Sequence, residues 1–434
     1  MQFILAAALA WAGLSAALPS QSNIYAGTKV FRIPTGNQNQ TESISNMIET
    51  LGLPAWTKAR MAFSHIDVQV SKDRLSSFHK ALKAVDSKLD EQVVTMHDDL
   101  GASILKEAAG MNSPYVDPLV GLANDAWFNS YHTYADHLTF LSDLASTFPN
   151  NAKVVTSGTS YEGRTITGIN IFGSSGSGTK PAIIFHGTVH AREWIATMVT
   201  EQIAYSLLSN YTTSATIKSY VDKYDFYIFP VVNPDGFVYT QSSDRLWRKN
   251  RQPTTSASCA GRDINRNWPW KWDVAGGSST SPCDETYRGA SAGDSPENKG
   301  LSAFLNSKSS SAAGAKLYID FHAYGLLFMG PYGYSCTAKA ADQTEHNKLE
   351  QGFAAAFKAP YGKVLKTGPI CTTIYAASGS SVDYAYDVSK IKYSFTPELR
   401  GSSSGNGFVL PPAEIRPSGI EVYEGIKYLL ANMV

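Results

Sequence analysis

The sequence has no net charge: 37 Lys and Arg stand against 37 Asp and Glu in 434 residues. A general nucleic-acid binder carries a strong basic excess, and this chain has none. Charged residues are scarce at 17%, while apolar residues make up 43%, which excludes a disordered or collagen-like chain. No apolar run reaches the roughly 20 residues of a membrane span; the longest, Phe3 to Leu18, falls short. Cysteine is rare as well. The four residues Cys259, Cys283, Cys336 and Cys371 all lie in the C-terminal half and form no C-x-x-C spacing, so a cysteine zinc cluster is disfavoured. Lys and Arg are absent between Glu107 and Ala152. At roughly 100–200 residues per domain, the length accommodates two or three domains.

No stretch after Phe3–Leu18 reaches membrane-spanning length, and Ser15-Ala16-Ala17 supplies the small residues of a signal-peptidase site. The segment before it lacks Lys and Arg, which departs from the usual signal pattern. The expectation is nonetheless a secreted protein with residues 1–17 removed. An even cysteine count in such a chain points to two disulfides. Of the three pairings that four cysteines allow, the shortest loops favour Cys259–Cys283 and Cys336–Cys371. Asn39 (N-Q-T) and Asn210 (N-Y-T) are candidate glycosylation acceptors.

Residues 18–112 read as one small domain. Val30–Ile33 and the alternating Ile66, Val68 and Val70 are strand signals, and Gln92–Met96 is a third. Glu42–Leu51 and the spaced Leu75, Phe78, Leu82 and Val85 are helix signals. The order suggests a small open α/β sandwich without a catalytic cluster. Gly110–Pro114 and Asp117-Pro118 form a linker. From Trp127 on, strand candidates at Lys153–Ser157, Ile166–Phe172, Ala182–Phe185, Phe226–Val232, Leu317–Phe321 and Ile391–Thr396 alternate with helical runs such as Trp194–Leu208. Runs apolar on both faces suit a central sheet covered by helices.

The most informative segment runs from Pro181 to Trp194, where a buried strand enters a turn bearing His190 and Glu193 and then a helix. Leu317–Phe321 is a second strand that ends in His322. Sites in open α/β sheets form at the carboxyl ends of strands, so His322 reaches the same edge if the two strands are neighbours. Two His and one Glu with an open fourth position make a catalytic zinc site. An isolated H-x-x-E is a weak signal. His186 lies on the strand itself and reads as a core histidine.

Four ordered motifs sharpen this: His190-Ala-Arg-Glu-Trp194, Asp263-Ile-Asn-Arg-Asn-Trp268, Thr373-Ile-Tyr-Ala-Ala-Ser-Gly379 and Phe395-Thr-Pro-Glu-Leu-Arg400. Together they resemble the secreted zinc metallocarboxypeptidase A/B family, strongly over residues 120–434 and loosely over 25–105, the region of that family's globular propeptide. The resemblance implies an α/β fold: a catalytic domain (113–434) with a central mixed eight-stranded sheet flanked by helices, preceded by a small open-sandwich inhibitory propeptide (18–112). It implies one Zn²⁺ held by His190, Glu193 and His322. Zinc-activated water would attack the C-terminal peptide bond, with Glu398 as general base and Arg248 stabilising the oxyanion. Arg266, with Asn265 beside it, would anchor the terminal carboxylate, as a planar guanidinium suits. Arg192 would contact the carboxylate further out, and Tyr375 would close over the bound residue. Pro397 departs from the family's aromatic residue and raises a question about the strand end beside Glu398.

The resemblance places Val382 at the floor of the side-chain pocket, where B-type relatives carry Asp. Met329, Ile370, Ile374, Ala377 and Thr396 would line the rest, with Gly333 leaving room. Such a wall gains about 1.5–3 kcal/mol from a large apolar side chain and cannot pair a buried cation. The expected preference is A-type, for large aliphatic or aromatic C-terminal residues, although Asp383 lies one residue away. The expected partners are peptide and protein C-termini and an activating protease, with neither nucleic acid nor membrane, for a monomer cleaved between about residues 105 and 123. Lys106 is the only basic residue there. An inactive protein that binds peptide C-termini on the same scaffold is the alternative, and it would be expected to lose a ligand or the base. Gly401–Gly405 matches G-x-S-x-G, but no helix start follows, which argues against a serine nucleophile. Both parts of the chain are separately neutral, yet residues 245–266 hold six basic residues against the single acid Asp263.

Overall fold

The computed structural model describes residues 22–57, 64–111, 125–401 and 405–434. The signal segment and most of the linker lie outside the described residues. The chain divides into two compact units. One takes in the described residues up to Ala109 together with Gly401–Pro411; the other is Gly110–Arg400 with Pro412–Val434.

The first unit is a three-stranded antiparallel sheet, ordered β2-β1-β3, of β1 (Lys29–Pro34), β2 (His65–Val70) and β3 (Val94–His97). Ile33, Ile66, Val68 and Val70 close a core with Ile44, Met47 and Ile48 of the helix Gln38–Thr50 and with Phe78 and Leu82 of the helix Leu75–Val85. Phe31 stacks on Phe78 at 5.1 Å between ring centroids. Asn37 caps the first of these helices through the Gln40 N–H, which begins it four residues earlier than the apolar pattern suggests. Lys106 is exposed on the helix Leu100–Glu107, which Asp99 caps.

The second unit is built on a mixed sheet of eight strands, ordered β10-β9-β11-β8-β6-β7-β5-β4. These are β4 (Ala152–Thr159), β5 (Thr165–Ile171), β6 (Ala182–Gly187), β7 (Asp225–Phe229), β8 (Ala315–Phe321), β9 (Leu327–Gly330), β10 (Lys366–Pro369) and β11 (Tyr393–Glu398). β6 runs parallel to β7 and β8, and β8 runs parallel to β11. Every residue of β6 is buried, as expected for a strand covered on both faces. The sheet is the expected one; β9 and β10 were not among the expected strands. The helix Trp194–Ser209 packs against β5, β6 and β7, and Ile415–Asn432 packs against that helix and against Gln343–Tyr361. Cysteines pair as the short loops suggested, Cys259–Cys283 and Cys336–Cys371. Asn39 is exposed in the first turn of its helix, whereas the Asn210 side chain is half-buried and donates to the Ser206 carbonyl at 2.9 Å.

Candidate metal centre and substrate cleft

The register brings three strand ends together. β6, β8 and β11 are consecutive in the sheet; Gly187 pairs with Phe321, and His322 bridges to Glu398. The turn after β6, His322 and Glu398 therefore meet at one carboxyl edge. Pro397 does not break that edge, because its carbonyl accepts the His322 N–H at 3.0 Å. Pro lacks only the donor, and the ladder uses its acceptor here.

After β6 the chain turns sharply, with Thr188 at φ +57°, and Ala191 donates to the Arg248 carbonyl at 3.0 Å. This places His190 and Glu193 on the same side just before the helix Trp194–Ser209. His190 Nδ1 lies 2.9 Å from Glu193 Oε1 and 3.0 Å from His322 Nδ1; His322 Nδ1 lies 3.2 Å from Glu193 Oε2. All three side chains are buried. The far nitrogens face acids: His190 Nε2 lies 3.1 Å from Asp263 Oδ1, and His322 Nε2 lies 3.2 Å from Asp320 Oδ2. A proton shared with those carboxylates leaves a lone pair on each Nδ1, aimed at its neighbour. Facing lone pairs and a carboxylate in a buried site repel unless a cation sits between them. A tetrahedral zinc with bonds of about 2.0–2.1 Å keeps its ligand atoms roughly 3.3 Å apart, close to the spacing seen. The donor set fits zinc, with His190, Glu193 and His322 as the residues that would hold it.

Asp263 organises the surrounding charges. Its carboxylate accepts from His190, from Arg248 Nε and Nη2 at 3.2 and 2.8 Å, and from the Asn265 N–H at 2.8 Å. Burial opposes its ionisation, but Arg248 and His190 outweigh that and hold the carboxyl well below its usual range. The Arg248 guanidinium, also buried, is held above its ordinary value chiefly by Asp263. Arg245, Lys249, Arg262 and Arg266 are buried as well, so the basic run is an internal framework and not a solvated loop. The signal for Asp263 was present in its spacing from Asn265 and Arg266, but no partner for its charge could be named from sequence.

A cleft of about 400 Å³, counting the part open to solvent, is lined by two of the three candidate ligands, His190 and His322. His190, His322, Asn265, Arg266, Tyr375 and Glu398 line its polar side. Met329, Ile370, Ile374, Ala377, Val382 and Thr396 line its apolar side, and Ser380, which sequence reasoning missed, joins them. Asn265 Oδ1 accepts from the Ser381 N–H at 2.8 Å, tying the polar side to the helix Ser381–Asp387 that bears Val382. Arg266 sits 5.8 Å from the Tyr375 ring, and its Nε is buried without a hydrogen-bond partner among the described residues. Arg192 and Arg248 are not among the lining residues. Arg192 Nη1 donates to the Leu246 carbonyl at 3.3 Å and to Glu285 Oε2 at 3.2 Å. Arg400 does not pair with Glu398; its fork binds Glu421 at 2.6 and 2.7 Å. His186 sits within β6 beside the Tyr318 hydroxyl at 3.0 Å, and burial pushes its pKa down to about 4, as for a core histidine.

Comparison with known proteins decides the family. A family model described as zinc carboxypeptidase matches residues 137–425. The chain belongs to the zinc carboxypeptidase family. Among zinc carboxypeptidases of known sequence, it is 46% identical over the full length of both chains to metallocarboxypeptidase A of Trichophyton rubrum. Two solved structures share its architecture. One is thrombin activatable fibrinolysis inhibitor, with a TM-score of 0.83, 25% identity, and 93% of this chain and 98% of that one covered. The other is carboxypeptidase A from Helicoverpa armigera, with a TM-score of 0.77, 28% identity, and 93% and 97% covered. As a zinc carboxypeptidase, the chain is a metallopeptidase acting on peptide C-termini. Among the described residues, no helix is long and apolar enough to cross a membrane.

Proposed function

We propose that this chain is a secreted A-type carboxypeptidase made as a zymogen. One observation carries the reading: the cleft that joins His190, His322, Glu398 and Arg266 has an apolar wall at Val382, and the nearby Asp383 carboxylate points elsewhere. Zinc, when bound, polarises the scissile carbonyl and lowers the pKa of a coordinated water. Glu398, at the cleft margin, takes a proton from the attacking water and passes it to the leaving amine. Arg266 and Asn265 receive the terminal carboxylate, for which the Arg266 Nε offers an unmet donor. Arg248, preorganised by Asp263, meets the developing oxyanion, and Tyr375 closes over the bound residue. Arg192 would reach a carboxylate further out only by exchanging its Glu285 partner. Val382, Met329 and Thr396 enclose the departing side chain.

Two disulfides and the apolar leader support secretion. A propeptide role for residues 18–112 is supported by a core of their own. It is also supported by the structural neighbour whose name describes it as activatable by thrombin. Lys106 lies inside a helix, so a trypsin-like cut there requires local unwinding, and other proteases are expected to cut nearer the linker. The test is hydrolysis of peptides differing only at the C-terminal residue, with and without a zinc chelator. Release of Phe or Leu that chelation abolishes supports the reading. Survival of activity under chelation would point to a different nucleophile, and its absence in every state would point to a C-terminus-binding protein.

A further inference from the structure

Asp383 is fully buried one residue beyond Val382, yet it does not enter the cleft. Ser380 caps the helix Ser381–Asp387, and one residue of rotation separates the two side chains by about 100°. Val382 faces the cleft. The Asp383 carboxyl instead receives the Gly333 N–H on both oxygens at 3.0 Å and the Tyr334 N–H on Oδ2 at 2.9 Å. The segment it grips lies against the cleft wall, with Gly333 next to Ile370 and Ala377. The Gly333 carbonyl accepts the Ala377 N–H at 2.8 Å, and the Tyr332 carbonyl accepts the Cys371 N–H at 2.9 Å. Through those two bonds the segment holds the chain that carries Ile370, Ile374 and Ala377, half of the apolar wall. Nothing at Gly333 can substitute for the grip. A Cβ there would come within 2.8 Å of the Ala377 carbonyl oxygen.

We propose that Asp383 is a positioning residue for specificity: its carboxylate fixes Gly333 and Tyr334, which set the depth of the pocket and hence the preference for large C-terminal side chains. This rests on the reading of the Val382 cleft as the site of the departing side chain. Charge-assisted N–H bonds are about twice as strong as neutral ones, so the grip is firm when Asp383 is ionised and slack when it is protonated. Burial pushes its pKa up to about 7 against the opposing effect of the two N–H donors. The groups facing it are Ser380 and Asp387 on its own helix and Tyr334 on the gripped segment. Asp387 is itself engaged by the Tyr332 hydroxyl at 2.9 Å and Trp270 Nε1 at 3.0 Å, and Lys271 lies 5.2 Å from the Tyr334 ring.

The experiment compares activated enzyme on two peptides that end in Phe or Ala and are otherwise identical. The Phe-to-Ala ratio of kcat/KM cancels the chemistry common to both and reads the pocket alone. In the parent enzyme the ratio should rise as pH increases through about 7. In Asp383→Asn it should be about tenfold lower and flat with pH, with the loss in KM for Phe; small misfits in an apolar pocket are worth about that much. A ratio that favours Phe but is flat with pH in the parent overturns the proposal, as does an unchanged ratio in the variant or equal losses on both peptides. If Asp383→Asn does not fold, the parent profile alone decides. A parent that never prefers Phe contradicts instead the reading of the cleft on which the proposal stands.

Discussion

Glu398 and Asp263 carry the sharpest residue-scale expectations, because each acts through a defined neighbour. Glu398 lines the cleft beside His190 and His322, and Arg400, two residues further on, is occupied by Glu421. Glu398→Gln should lower kcat by about 10²–10⁴ with KM nearly unchanged, measured on a Phe-terminated peptide. Asp263 fixes the His190 tautomer. Asp263→Asn should weaken zinc binding about 10–100-fold in a chelator competition. It should also destabilise the fold, since Arg248 is left buried with half its partner. The candidate ligands were legible through the family resemblance, since an isolated H-x-x-E is a weak signal and only the four ordered motifs single out His190, Glu193 and His322. The acids behind the ligands were not. Asp263 meets His190 only in the fold, from 73 residues away along the chain, while Asp320, two residues before His322, has nothing in its local sequence to set it apart from any other strand acid.

At the scale of elements, long buried strands declared themselves and short ones did not. β6 opens on the apolar run Ala182–Phe185 and is buried throughout, whereas β9 and β10 have four residues each, too few to show a period, and β10 contains Gly-Pro. The expected strand Phe226–Val232 stops at Phe229 because Pro230 brings no N–H to the ladder, although Val231 and Val232 remain buried. A buried acid lies on the outer helix of this region. Glu350, on Gln343–Tyr361, sets its carboxyl against Gly330, where a Cβ would meet Oε1 at 2.7 Å. Burial pushes its pKa up to about 8, while an unfolded Glu titrates near 4.3. Between those values the folded chain binds more protons than the unfolded one, so this group's contribution to stability is full below about pH 4 and is lost as pH rises towards 8. Glu350→Gln keeps the shape without the titration. Denaturant melts should show it gaining on the parent as pH rises from 5 to 8, by on the order of a few kcal/mol. Parallel curves would contradict this.

The whole molecule is two compact units, each with its own core, and each part of the sequence is neutral by itself. Zero net charge excluded a polyanion binder and concealed the buried ionic framework around Asp263, since a sum over the chain says nothing of where charges meet. If the N-terminal unit restrains the enzyme, limited proteolysis between about residues 105 and 123 should raise peptidase activity at least tenfold. Equal activity before and after the cut would assign that unit another role. The central claim is that an apolar cleft beside a His₂Glu zinc site selects the C-terminal residue. The most direct measurement is kcat/KM of the activated enzyme on peptides that differ only in ending with Phe, Leu or Arg. The account predicts Phe and Leu well ahead of Arg, because the buried wall at Val382 offers a cation no partner. Faster release of Arg would contradict it.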